Sequence, residues 1–359
     1  MAVTAGICLP GSILSGNREG DRSPKRKTLW PQADMTEIQP PNLPDLPSHG
    51  RLMLCNIGRL GDTILCNAIL DSAFRTYATV DYLCGKNNAV LLSSDSRLNQ
   101  VTVLRNSLAG FVSVAKAALR RRYDAFIGLK DCYSLTNLIL GQLFRSGLKT
   151  GWNGVRFQPF DRDVRSISVP DAHKVDMMRL IGQLAGLQPG DYKPCLVLAP
   201  DSITWFRRNY AWEKRFIFLN LSATNATRIW PVEKWAEYVQ GCGLCGKTIL
   251  VNGLPKDQPM VQRLCQKLPG AVAFQPRGFM DVAAALADAQ LVLTVDTGVV
   301  HACSALDKPI IAFYCAGSSG IRIGPLSTRR LVIQAPDGGV VPDIDPQQAI
   351  AETLRYGLP

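Results

Sequence analysis

The stretch LMLCNIGRLGDTIL, residues 52–65, decides the fold class. LMLCNI is an apolar run of strand length, and GRLGD is a short loop rich in glycine. A helical pattern then runs from Thr63 to about Tyr77. A buried strand followed by a tight loop and a helix is the repeating unit of a parallel α/β sheet.

The same alternation continues along the chain. Further strands are predicted at 79–84, 101–104 and 125–129, with helices at 115–122 and 175–185. The pattern begins again with FIFLN (216–220), a helix from Pro231 to Gln240, and strands at 248–252, 291–295 and 309–314, with helices at 260–267 and 280–287 between them. Two such series predict an α/β protein with two Rossmann-like domains facing a central cleft.

The domain boundaries follow from composition. Residues 1–48 are rich in Pro, Ser and charged side chains, which predicts a disordered N-terminal tail. The first domain is expected over 49–190 and the second over 191–359, with LQPGDYKP (187–194) as the linker. Ligands in such sheets bind beyond the carboxyl ends of the strands, so we expect the loops at those ends to contain the functional residues.

Composition narrows the class of protein and of partner. The chain has 359 residues and a net charge of +11, which predicts an anionic partner such as a phosphorylated substrate, a nucleic acid or an acidic membrane surface. No apolar run reaches the roughly 18–20 residues of a membrane-spanning helix, and the N-terminus lacks the basic start of a signal peptide. The 11 scattered cysteines, with Cys55, Cys66, Cys303 and Cys315 in apolar runs, predict buried reduced thiols and a cytoplasmic location.

Several short motifs do not predict a site. Residues 241–248, GCGLCGKT, match the phosphate-binding pattern GxxxxGK[ST], but a predicted helix precedes them and a strand follows, the reverse of what that loop requires. The pairs Asp161/Asp163 and Asp343/Asp345 are predicted to lie in loops. With 3 histidines and no metal-ligand spacing, no metal site is predicted.

The loop after the first strand carries Gly58, Arg59, Gly61 and Asp62. The glycines allow a sharp turn, and Asp62 stands at the start of the following helix. Asp62 is therefore either a helix N-cap or a carboxylate presented to a ligand.

Two loops of the second domain are suited to phosphate. SATNATRIWPVEKW (222–235) supplies Ser222, Thr224 and Arg228 just before a helix. VDTGVVHACSAL (295–306) places Asp296, Thr297 and Gly298 where a strand gives way to a helix, and His301 follows either as part of the pocket or as a structural helix residue.

Together these segments resemble glycosyltransferase family 9, the ADP-heptose:lipopolysaccharide heptosyltransferases. The matching elements are Gly61-Asp62, Arg228-Ile-Trp-Pro231 and Asp296-Thr-Gly-x-x-His301, supported by RYDAFIGL (122–129) and HKVDMMRLIGQLAGL (173–187). The resemblance covers roughly residues 51 to 320.

The resemblance implies a GT-B fold, with the acceptor on the first domain beside Gly58, Arg59 and Gly61, and the nucleotide sugar on the second. An inverting transfer of heptose from ADP-heptose to the inner core of lipopolysaccharide would use Asp62 as general base. Arg228 and the 296–301 loop would hold the diphosphate, with Ser222 and Thr224 as further contacts, and no metal would be required.

The implied partners are a nucleotide-sugar donor and a phosphorylated lipopolysaccharide-core acceptor, with peripheral contact to the cytoplasmic face of the inner membrane. Five basic residues either contact that acceptor or form an ordinary solvated basic face: Lys149, Arg156, Arg162, Arg165 and Lys174.

Two other classes of function stay open at this point. A GT-B transferase or an epimerase that uses another sugar nucleotide would share the fold and the phosphate loops. A non-catalytic protein that binds anions would need only the net charge of +11 and no catalytic residues. Nucleic acid is not the expected partner, because no element interleaves basic and aromatic side chains.

Overall fold

The computed structural model describes residues 50–210, 215–317 and 319–357, and the predicted N-terminal tail lies outside this range. The part up to residue 185 is called the N-terminal half below, and the part from residue 200 the C-terminal half. Residues 187–199, which include the predicted linker, contain no helix or strand.

The N-terminal half contains one parallel sheet with helices between its strands. The strands are β1 (Arg51–Asn56), β2 (Thr79–Gly85), β3 (Gln100–Leu104), β4 (Arg122–Gly128), β5 (Arg145–Gly151) and β6 (Arg162–Asp163). The helices are α1 (Leu60–Cys66), α2 (Leu70–Thr76), α3 (Ala89–Leu92), α4 (Leu108–Arg120), α5 (Leu135–Leu143) and α6 (Lys174–Ala185). A single 3₁₀ turn joins α1 to α2, so the predicted first helix is nearly continuous.

The C-terminal half repeats this arrangement. Its strands are β7 (Ile217–Asn220), β8 (Ile249–Asn252), β9 (Ala271–Phe274), β10 (Leu291–Val295), β11 (Ile310–Tyr314) and β12 (Arg330–Gln334). Its helices are α7 (Pro200–Tyr210), α8 (Val232–Gly241), α9 (Gln258–Lys267), α10 (Phe279–Asp288), α11 (Gly298–Ala305), α12 (Ser319–Ile323) and α13 (Pro346–Tyr356).

The two sheets have the same strand order. The first runs β3-β2-β1-β4-β5-β6 and the second β9-β8-β7-β10-β11-β12, so each is 3-2-1-4-5-6 when counted from its own first strand. In this topology the chain reverses direction across the sheet between the first and fourth strands, and a crevice opens there at the carboxyl ends. The strand order therefore predicts that ligands bind at the loops after β1, β4, β7 and β10.

Two predictions about the bounds of helices and strands need correction. The helix expected at 115–122 begins earlier, at Leu108, because the Ser107 hydroxyl caps it by accepting a hydrogen bond from the Gly110 N–H, and Arg122 already belongs to β4. Asp163, expected in a loop, lies in the two-residue strand β6.

The cysteines are free thiols throughout the described ranges. Cys55, Cys66 and Cys303 are buried as predicted, whereas Cys315 is half-buried. None of the helices in these ranges has the length and apolar character to cross a bilayer.

Aromatic packing forms the centre of the C-terminal half. Trp230 and Trp235 are fully buried, with ring centroids 4.9 Å apart and an interplanar angle of 81°. Phe313 of β11 lies 4.6 Å from Trp230 and 4.9 Å from Trp235. The Trp230 indole N–H also donates to the Ile344 carbonyl at 3.2 Å. This packing holds the start of α8, and the residues before it, against the sheet.

Trp235→Ala is expected to lower the free energy of unfolding by about 3–5 kcal/mol, because it leaves a large cavity among aromatic rings that cannot collapse freely. Urea denaturation followed by far-UV circular dichroism measures this. Leu354→Ala, at a position that is 58% exposed on α13, is the control and should change stability by about 0.5 kcal/mol or less. Equal effects of the two substitutions would contradict the description of this core.

Candidate active site

The loop after β1 is held by backbone contacts. The Gly58 carbonyl accepts a hydrogen bond from the Asn88 side-chain amide at 2.8 Å. The Arg59 carbonyl accepts one from the Thr63 hydroxyl at 3.2 Å. Arg59 is the N-cap residue of α1 and its side chain is exposed, while Asp62 lies within the first turn. The interpretation of Asp62 as the N-cap is therefore wrong.

The Asp62 carboxylate is half-buried and makes no hydrogen bond or ion pair with any other described residue. Lys130, in the loop after β4, approaches the same place. A β-carbon added at Gly58 would lie 3.4 Å from the Lys130 Nζ and 3.4 Å from the Asp62 Cβ. An acid and an amine thus flank the glycine at the carboxyl ends of β1 and β4, where a ligand hydroxyl and an anionic group could both be bound.

A buried amide network supports the corresponding loops of the C-terminal half. Asn220, the last residue of β7, donates to the Thr294 hydroxyl at 3.0 Å and to the Thr297 hydroxyl at 3.3 Å. Its own side-chain carbonyl accepts from the Asn252 amide at 2.8 Å. Asn220 is 3% exposed, so these bonds fix the ends of β7, β8 and β10 relative to one another.

Ser222 and Thr224 have different environments. The Ser222 side chain is buried, and its hydroxyl accepts a hydrogen bond from the Leu254 N–H at 2.8 Å. Ser222 therefore shapes the loop, whereas Thr224 is exposed at its surface.

Arg228 and Asp296 form an ion pair between these loops. Arg228 ends a 3₁₀ turn (Ala226–Arg228), and its guanidinium lies 3.1 Å from the Asp296 carboxylate. The Asp296 side chain is 3% exposed and that of Arg228 is 31% exposed. Burial raises the pKa of Asp296, and the nearby Arg228 charge opposes that shift. One side of the guanidinium is accounted for by Asp296, and the exposed part remains available to a further anion.

Helix α11 begins beside this pair. Thr297 is its N-cap residue, and the threonine hydroxyl accepts a hydrogen bond from the Val299 N–H at 3.3 Å. Gly298 is the first residue of the helix. The backbone N–H groups at a helix start, together with the helix dipole, favour a phosphate there.

The two halves touch where α1 meets α11. A β-carbon added at Gly61 would lie 2.5 Å from the His301 ring, closer than real β-carbons approach other atoms, and 3.3 Å from the Gly298 Cα. Glycine is thus required at position 61 for the helices to approach this closely. The contact places Asp62, the neighbour of Gly61, beside the start of α11.

His301 is 5% exposed, and its Nδ1 has no hydrogen-bond partner among the described residues. Burial lowers its pKa from 6.5 to about 4, while the nearby Asp62 charge raises it. The imidazole is therefore neutral at pH 7 and packs between the halves.

A second connection lies beside the first. The Lys174 ammonium of α6 is 2.6 Å from the Asp131 carboxylate, and both side chains are nearly buried. Arg322 of α12 approaches the other Asp131 oxygen at 3.6 Å. His173 Nε2 lies 3.1 Å from the Gly324 carbonyl. The Asp131 carboxylate is thus approached by basic side chains from both halves, Lys174 and Arg322.

Three of the five predicted acceptor contacts are engaged within the protein. Lys174 pairs with Asp131, Arg165 pairs with Asp163, and Arg162 donates to the Leu184 carbonyl at 2.7 Å. Lys149 and Arg156 have no such ion pair among the described residues.

The sequence analysis did not single out Lys130 or Asn220. The sequence did offer one signal for them. Lys130 follows β4 and Asn220 ends β7, so both lie at the carboxyl ends of strands, where ligands bind in such sheets.

Among the residues 50–210, 215–317 and 319–357, no group of three or more His, Cys, Asp or Glu side chains is placed to hold a metal ion. The GxxxxGK[ST] match lies at the end of α8 and leads into β8, as predicted, so no helix starts after it to receive a phosphate.

The sequence model of glycosyltransferase family 9 (heptosyltransferase) matches residues 111–350. The chain belongs to this family. Lipopolysaccharide heptosyltransferase 1 of Escherichia coli K12 is 31% identical over 121 residues, which are 33% of this chain and 37% of that relative. The sequence match to this curated relative therefore spans little more than a third of the relative's length.

Solved structures extend the likeness over nearly the whole described chain. The glycosyltransferase family 9 protein of Veillonella parvula has a TM-score of 0.72 at 18% identity, covering 87% of this chain and 98% of that one. E. coli heptosyltransferase WaaC, solved with ADP, has a TM-score of 0.68 at 20% identity, covering 86% of this chain and 100% of the other. The predicted α/β fold of GT-B type is confirmed.

The buried state of His301 predicts a pH dependence of stability. Between pH 6.5 and 4 the unfolded chain binds a proton at this residue that the folded chain does not, so the free energy of unfolding falls as the pH falls. The loss should reach about 3 kcal/mol at the low end. Urea denaturation at a series of pH values, on the wild type and on His301→Gln, measures the difference.

His173 also has a pKa lowered by burial and contributes a slope of the same sign, but it is present in both proteins. The difference between them therefore isolates His301. Parallel pH profiles for the two proteins would show that His301 titrates normally in the folded state.

Proposed function

We propose that the protein is an inverting glycosyltransferase that moves a heptose from ADP-heptose to a hydroxyl of the inner core of lipopolysaccharide. The observation that carries this proposal is the meeting of α1 with α11. It brings an unpaired carboxylate on one half to the start of a helix on the other half, and the charges of Asp62 and Arg228 both act on His301 at this contact. A base and a diphosphate site next to each other are what a single displacement at an anomeric carbon requires.

In this proposal Asp62 is the general base. The acceptor hydroxyl oxygen attacks the anomeric carbon, the bond from that carbon to the diphosphate oxygen breaks, and the hydroxyl proton passes to the Asp62 carboxylate. A carboxylate is a weak base, but it suffices when the proton leaves late, after the sugar has gained oxocarbenium character. One displacement from the face opposite the leaving group inverts the configuration.

Arg228 and the start of α11 would stabilise the leaving ADP. Negative charge accumulates on the diphosphate as the glycosidic bond breaks, and a preorganised guanidinium and backbone N–H groups lower the energy of that state. Thr297 and Gly298 would present those N–H groups, while Asp296 orients the guanidinium. Thr224 is exposed on the neighbouring loop and would contact the donor from there.

Lys130 would bind an anionic group of the acceptor. Its ammonium lies near Gly58 and Asp62, and no carboxylate among the described residues pairs with it. A cation there suits a phosphorylated or carboxylated sugar, and it would orient the acceptor hydroxyl toward Asp62.

The comparisons support the choice of donor and acceptor. The family description names heptosyltransferases, the curated E. coli relative is a lipopolysaccharide heptosyltransferase, and the structurally similar WaaC was solved with ADP. None of the steps above uses a metal ion.

Asp62→Asn should lower kcat by about 10²–10⁴-fold, because the amide has the shape of the carboxylate but cannot accept the proton. Steady-state transfer of heptose from ADP-heptose to a core acceptor measures this, and ADP affinity should be unchanged.

Asp176→Asn is a matched control, because Asp176 is also half-buried and occupies the same place in the first turn of α6. It should retain turnover close to that of the wild type. If Asp62→Asn turned over as fast as this control, Asp62 would not be the base.

ADP should raise the melting temperature more than UDP, GDP or CMP at matched concentrations. At about 100 times its dissociation constant a ligand stabilises the folded state by roughly 2.7 kcal/mol. Arg228→Lys should remove most of the ADP effect, since lysine cannot contact Asp296 and a diphosphate in the same fork geometry.

Arg207→Lys is the control for this experiment, because Arg207 also pairs with an aspartate, Asp288, but lies on α7. Its response to ADP should equal that of the wild type. A larger shift with UDP or GDP would reassign the donor nucleotide, and no shift with any nucleotide would contradict the proposed function.

A further inference from the structure

Exposed apolar side chains are concentrated on one layer of the N-terminal half. Eight of the fourteen large apolar side chains that are exposed in the described residues lie between positions 108 and 157. Leu108 at the start of α4 is 82% exposed and Val155 is 86% exposed. Val112 and Leu119 on α4 and Ile139 on α5 are also exposed.

These residues belong to one surface. Helices α4 and α5 pack against each other, and their inner sides share a core cluster with β1 and β4. The loop that carries Val155 rests on α5, because a β-carbon at Gly154 would lie 3.3 Å from Leu138 and 3.5 Å from Tyr133. We call the outer side of α4, α5 and the loop 152–159 the α4–α5 face.

The same part of the chain is strongly basic. The exposed basic residues between positions 105 and 160 are Arg105, Lys116, Arg120, Arg122, Arg145 and Arg156. Asp124 is the exposed acidic residue in this range, and its carboxylate already accepts a hydrogen bond from the Arg51 N–H. Lys116 and Arg120 stand beside Val112 and Leu119 on α4. Apolar and basic side chains therefore alternate on one exposed helix.

We propose that the α4–α5 face docks onto the surface of an anionic lipid bilayer. A helix that exposes leucine and valine with flanking lysine and arginine inserts its apolar side chains at the headgroup boundary while its cations contact lipid phosphates. A second copy of this face would bring like charges together. Residues 1–49 contain five basic and five acidic side chains, so this segment has no net negative charge with which to cover the face.

Docking in this orientation would keep the site close to the bilayer, because α5 follows the loop that carries Lys130. That consequence, the delivery of a lipid-borne acceptor to Asp62, rests on the proposed function. The docking itself does not, and it is measured without donor or acceptor.

Co-sedimentation of the full chain with vesicles tests the proposal. We expect binding to vesicles of phosphatidylethanolamine with phosphatidylglycerol, weaker binding as salt is raised, and little binding to phosphatidylcholine alone. Leu108→Ser with Val155→Ser should weaken binding roughly tenfold or more, through lost apolar burial. Lys116→Gln and Arg120→Gln should each weaken it about fivefold.

Leu354→Ser and Arg355→Gln, at exposed positions of α13, are matched controls that should bind vesicles like the wild type. Absence of binding to the phosphatidylglycerol vesicles would overturn the proposal, as would equal losses in the controls. So would analytical ultracentrifugation showing a dimer that the Leu108→Ser and Val155→Ser changes dissociate, since the face would then be occupied by a second copy. ADP-dependent stabilisation measured on the same variants reports the donor site separately, so failure of one proposal is distinguished from failure of the other.

Discussion

The approach of α1 to α11 is the contact on which the geometry of the candidate site depends. Helix α1 follows the first strand of one sheet, and α11 follows the fourth strand of the other. Each helix therefore starts at the point where its own sheet opens a crevice. Because Gly61 has no side chain, its backbone lies directly against His301, and the two crevices share one wall. This contact joins the loop that carries Asp62 on one half to the start of α11, next to Asp296, on the other half.

Rigidity in the C-terminal half comes from polar groups placed inside an apolar sheet. Asn220 and Asn252 end adjacent strands, and their amides bond to each other and to threonine hydroxyls. A buried amide costs free energy unless its partners are in place, so the network tolerates few alternative arrangements of these loops. The aromatic packing around Trp230 and Trp235 then holds the segment that carries Arg228. The half-buried Arg228 side chain thus projects from a firmly fixed backbone.

Much of this architecture could be predicted from the sequence, and the same physical reasons explain which strands and residues could not be. Strands β1, β7, β10 and β11 are continuous apolar runs because helices cover both faces of the sheet, and such runs are conspicuous. Strand β5, RSGLKTG, mixes charges and glycines, and the two-residue strand β6 is too short for any periodicity. The loops that contain Asp62, Arg228 and Asp296 were identified because they follow apolar strands. Asn220 and Lys130 were not, since the residues that surround them are distant in sequence and only the folded sheets bring them together.

The pairing of Arg228 with Asp296 has a consequence for the energetics of ligand binding. Burial already raises the pKa of Asp296, and the Arg228 charge is what limits that rise. A diphosphate that draws the guanidinium toward itself leaves the aspartate with less positive charge nearby, in a place that water hardly reaches. Its affinity for a proton then increases, and binding becomes coupled to proton uptake from solution. The heat of nucleotide binding would accordingly depend on the ionisation enthalpy of the buffer, a signature of a buried acid that shares its counter-ion with a ligand.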